Sequence, residues 1–95
     1  MKRIPKAFSV LNHRITVEVV PEAKWKWKDW AYWESDKLRI LVCQGKVSVV
    51  KHSFWHETVH VLMEFAGRPD LSKNEAFVDM VGGMLAQIMS SAEFK

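Results

Sequence analysis

The sequence predicts an α+β fold: a small, mainly antiparallel sheet of three or four strands packed against two helices. Three observations carry this. Arg14 to Val20 and Leu38 to Val42 alternate apolar and polar residues, the period of a half-buried strand. The largely apolar stretch after Ser48 is too long for a strand and stops at Gly67-Arg68-Pro69, a helix-ending sequence. A second helical pattern opens at Ser72 and runs to Met89 or beyond.

The composition bounds the rest. A chain of 95 residues is expected to form one domain over 1–95, with a small core. Its 48% hydrophobic and 26% charged residues indicate a globular protein and exclude a disordered one. The single cysteine, Cys43, has no internal partner, which fits a reducing compartment and a small core residue. The basic start, Met1 to Lys6, is followed by no apolar run of signal-peptide length, and no stretch is apolar enough to span a membrane. A cytoplasmic protein without a membrane partner is therefore expected. The net charge of +3 permits an acidic partner without requiring one.

In chain order, Met1 to Asn12 reads as irregular, with Pro5 blocking a helix and Phe8, Val10 and Leu11 tucked onto the core. The strand Arg14 to Val20 places Ile15, Val17 and Val19 on one face and ends at Pro21. Lys24-Trp25-Lys26-Trp27-Lys28-Asp29-Trp30 has three readings. It can be a nucleic-acid surface of stacking rings and cations. It can be a segment whose tryptophans pack inward while its lysines stay solvated, the commoner outcome, which makes a nucleic-acid partner the lesser expectation. It can also be a wall of a substrate cleft. Ala31 to Glu34 and Leu38 to Val42, joined by Ser35-Asp36-Lys37, form a hairpin.

The first helix is expected from an N-cap at Ser48 to Ala66, with Gly67 in the left-handed position beyond its end. It is apolar nearly all round, so it belongs at the centre of the molecule. It carries His56-Glu57-Thr58-Val59-His60. Residues four apart share a helix face, so both imidazoles can aim at one metal ion. Glu57 sits roughly 100° further round the helix, where a base for a metal-held water belongs. Two histidines on a buried helix are costly unless something satisfies them, and a metal does so.

On the second helix Glu75 and Asp79 share a face with Gly82, Gly83 and Ala86. Small residues there let the helices approach and bring Glu75 to the histidines. Phe77, Met80, Val81, Met84 and Ile88 lie opposite and read as core. Ser72-x-x-Glu75 is also a capping box, which offers Glu75 a structural role instead. Taken with the histidine pair, Glu75 is read as the third ligand of one zinc ion per chain, leaving a position open for water. Asp79 is read as the carboxylate behind a ligand histidine. Its alternative is a solvated helix surface.

His56 to His60 followed by Asn74-Glu75-Ala76-Phe77-Val78-Asp79 resembles the gluzincin zinc metallopeptidases, whose third ligand lies in an Asn-Glu-x-x-x-Asp motif on a later helix. The compact spacing is similar to that of minimal single-domain members and of small phage- or prophage-encoded metallopeptidase-like proteins, which would place it in a host cytoplasm. The resemblance spans most of the chain, but only the two helical motifs are specific. It implies a zincin-like fold whose edge strand borders the cleft and pairs with an extended peptide. It also implies peptide hydrolysis with Glu57 as general base. Larger relatives carry a downstream His or Tyr for the oxyanion; here none follows His60. The candidates are upstream: His52, one turn before His56, Tyr32 and His13. Two readings of other kinds stand beside a peptidase that acts on a peptide or protein: a non-catalytic, zinc-stabilised interaction module, and nucleic-acid binding through Lys24 to Trp30.

Overall fold

The computed structural model describes residues 4–94. Four strands form one mixed sheet: β1 (Ala7–Val10), β2 (His13–Val20), β3 (Ala31–Glu34) and β4 (Arg39–Cys43). Their order is β1-β2-β4-β3. β1 pairs antiparallel with β2, and β3 with β4, while the central β2–β4 pairing is parallel. Short single-turn helices at Glu22–Lys24 and Ser35–Lys37 punctuate the connections. Three α-helices follow: α1 (Val47–Phe65), α2 (Pro69–Ser72) and α3 (Glu75–Ser91). Among the described residues no helix is long and apolar enough to cross a membrane.

The N-terminal segment expected to be irregular contains β1. Its link to β2 is the two-residue turn Leu11-Asn12, both with positive φ, 47° and 68°. Paired positive φ values fit the twist of a hairpin, but leucine rarely adopts them, so Asn12 alone carried a turn signal. Leu11 is exposed rather than tucked onto the core, whereas Phe8 and Val10 pack as expected.

One face of the sheet carries Ile15, Ala31, Ile40 and Val42, and Phe54 and Val61 of α1 close over it. Phe54 meets the Phe8 ring edge-on at 6.0 Å. On the opposite face Leu41 and Cys43 are almost fully buried. There Tyr32 stands beside Leu41 in register, Trp27 stacks on Tyr32 at 5.2 Å, and Trp25 leans on Trp27 at 4.9 Å. Lys24, Lys26 and Lys28 remain exposed. Two of the three indoles thus serve the sheet. Arg39 completes this face, its Nε 2.7 Å from Glu34 Oε1 and its guanidinium 3.5 Å from Glu18.

Helix α1 starts at Val47, with Lys46 as its N-cap and no side-chain cap, so Ser48 falls inside the helix. Gly67, at φ 71°, takes the left-handed position beyond its end. Pro69, expected only to stop the helix, also begins α2. Helix α3 is capped by Asn74, whose Oδ1 accepts the Phe77 amide at 3.1 Å. The Ser72 capping box does not form.

Helix α1 lies between the sheet and α3. This explains why it is apolar nearly all round, and it corrects the expected core of α3. That helix rests on α1 and not on the sheet, so only one stripe of it is covered. Val78 and Gly82 are its buried residues, whereas Met80, Met84 and Ile88 are exposed. The two glycines also differ. A Cβ on Gly82 would come within 3.0 Å of His56 Cα and 3.1 Å of its N, while a Cβ on Gly83 meets nothing within 4 Å.

Substitution of the two glycines should therefore have opposite effects. Gly82→Ala is expected to cost about 1–3 kcal/mol by forcing two backbones apart. Gly83→Ala should stabilise by about 1 kcal/mol through helix propensity. Urea denaturation of the two variants reads both signs, and equal effects would contradict the packing described.

Candidate metal centre

Adjacent turns of α1 present His56 and His60, with ring centroids 5.2 Å apart. The close pass of α3 at Gly82 brings its first two turns over them. Glu75, the first residue of α3, places Oε2 3.1 Å from His56 Nε2 and Oε1 3.5 Å from His60 Nε2. Both inward-facing nitrogens thus meet one carboxylate.

The outward-facing nitrogens are held as well. His60 Nδ1 lies 3.0 Å from Ser72 Oγ. His56 Nδ1 lies 3.5 Å from Asp79 Oδ1. The same oxygen is 3.0 Å from His52 Nε2. The Asp79 carboxyl is held below its ordinary range, first by the hydrogen bond from His52. Burial lowers the pKa of His60, partly opposed by the Glu75 charge, which favours the neutral imidazole that binds metals.

Glu57 lies beside these groups. His56, Glu57 and His60 each offer a ligand atom within 4.8 Å of the others, a group able to hold a metal ion. Two carboxylates therefore stand within reach of the histidine pair. Burial, then the negative charges of Glu75, Asp29 and Glu64, push the Glu57 pKa up to about 8.

The groups open into a cleft of about 450 Å³. Helices α1 and α3 form one side, and Asp29, Trp30 and Ala31 line the other. Trp30 thus realises the cleft-wall reading of the Lys-Trp segment, which Trp25 and Trp27 do not share. Ala31 begins β3, an edge strand. Cys43 N–H donates to Trp30 O at 2.8 Å. By the alternation of an antiparallel pair, Ala31 and Trp33 then turn their backbone N–H and C=O to the free edge.

Of the three upstream candidates for the oxyanion, only His52 lines the cleft. Tyr32 points to the outer sheet face, in the stack on Trp27. His13 stacks on Phe65 at 5.1 Å, at the far end of α1. Sequence reasoning missed Ser72 and Asp29. Ser72 reaches His60 through the bend that α2 makes, which no spacing rule records.

Comparison of the chain with protein-family models, with curated proteins and with solved structures gives no match.

Two measurements test this geometry. In metal-free protein the native state holds the Glu57 proton up to about pH 8, while the unfolded chain releases it near ~4.3. Stability from this group is thus full below ~4.3 and is lost as pH rises toward its folded value. Glu57→Gln should flatten that fall, read as melting temperature from pH 5 to 8 in chelator; identical slopes would contradict it. Ser72→Ala and Asp79→Asn should each weaken the binding of a divalent metal ion by about 10–100-fold, measured against a chromophoric chelator.

Proposed function

We propose that the chain is a zinc-dependent peptidase acting on peptide or protein substrates. The observation that carries this is the convergence of His56, His60 and Glu75 beside the free backbone edge of β3. The donor set fits zinc: two imidazoles and a carboxylate, with two outer nitrogens anchored by Asp79 and Ser72. His56, His60 and Glu75 would hold the ion. Bound there, zinc supplies Lewis-acid polarisation and lowers the pKa of water.

The chain's own residues supply the rest. Glu57, next to the ligands and lining the same cleft, is the general base and later hands the proton to the leaving amine. The competing assignment, Glu57 as a ligand, is disfavoured because Glu75 already faces both Nε2 atoms. Ala31 and Trp33 offer main-chain partners to an extended peptide and so fix it along the cleft. The likeness of the two helical motifs to gluzincins supports the same reading.

A non-catalytic, zinc-stabilised interaction module is the second reading. The observation favouring it is the poverty of oxyanion donors: Tyr32 and His13 lie elsewhere, and His52 is engaged by Asp79.

Metal analysis with a broad fluorogenic peptide library separates the two. The peptidase reading expects one zinc per chain and hydrolysis that falls about 10³-fold or more in Glu57→Gln, with zinc retained. Zinc without cleavage of any peptide supports the module. Unchanged zinc in His56→Ala and Glu75→Ala would dismantle the site.

A further inference from the structure

A shallow, open groove runs along the outer side of α3, and His52 and Asp79 line both it and the cleft of the candidate metal site. Met80, Met84 and Ile88 follow along it at intervals of four residues, so they stack on one helix face. They are 56%, 51% and 55% exposed. From Met80 to Ile88 the stripe extends about 12 Å at ~1.5 Å per residue. An extended chain covers that distance with about four residues. This is too long for a single side chain and suits a short apolar run. Methionine is unbranched and polarisable, and adapts to differing apolar partners.

Gly83 is an independent sign. A glycine inside a helix lowers its stability. Gly82 has a reason in the backbone of His56, but a Cβ on Gly83 would meet nothing within 4 Å among the described residues. It lines this groove and also the neighbouring depression toward Ser48. Its missing side chain leaves the helix backbone open where a docked segment would lie.

We propose that this groove docks an apolar segment, about four residues long, of the same protein substrate whose scissile bond lies in the cleft. As a substrate site it rests on the hydrolytic reading. Its continuity with the cleft through His52 and Asp79 selects the substrate over a second copy of the chain as occupant. The substrate class is then an unfolded or flexible protein with an apolar run close to the cleaved bond.

Zinc-loaded Glu57→Gln protein is titrated with fluorescently labelled, reduced and carboxymethylated α-lactalbumin, an unfolded protein with accessible apolar runs. The double substitution Met80→Ser, Met84→Ser should weaken binding by about tenfold, with zinc content and helicity unchanged. Gly83→Leu separates docking from folding. Leucine should raise the melting temperature, yet its side chain fills the groove floor and should weaken binding. Failure of the parent protein to bind the probe overturns the groove, as does equal binding by parent and variants. A dimer that the double substitution dissociates, seen by sedimentation, overturns it in favour of a second copy. If the groove variants lose binding while the wild-type chain cleaves no peptide, docking stands and the hydrolytic reading falls.

Discussion

The geometry of the cleft depends on how closely α3 can approach α1 at Gly82. There one helix backbone lies against the other, with no room for a methyl group. Asp79 and Glu75 lie one and two turns back along α3, so the same approach brings them to the two imidazoles. The sheet holds α1 from the other side through Phe54 and Val61. The side chains of the candidate site therefore stand on two packed helices, and their positions are set by core packing rather than by loops.

What could be read in the sequence follows from how local each signal is. The histidine pair, Glu75 and Asp79 were legible because helical spacing fixes which residues share a face. The strands Arg14 to Val20 and Leu38 to Val42 were legible from alternation. The parallel pairing of β2 with β4 was not, since alternation is the same for either direction. The β1 hairpin escaped because Leu11 occupies a conformation usually marked by glycine or asparagine. The exposed face of α3 was misread as core because periodicity shows that a stripe exists, not whether a neighbour covers it.

The Lys-Trp segment shows how one pattern divides in three dimensions. Trp25 and Trp27 join Tyr32 in a row over the outer sheet face, which accounts for two indoles as packing. Trp30 instead borders the metal cleft. The oxyanion partner was the weakest part of the candidate site in the sequence. Of the three upstream candidates only His52 lines the cleft, and that imidazole is tied to the carboxylate that also lies beside His56.

The free edge of β3 has a cost as well as a use. Outward-facing amides beside a cleft will accept any extended strand, including one from another copy of the chain, and such edges seed aggregation. Here β3 is only four residues long, and only Ala31 and Trp33 turn their main-chain groups outward. The lysine-rich loop before it places positive charge at one limit. A short edge with only two outward-facing residues gives a growing sheet little to extend.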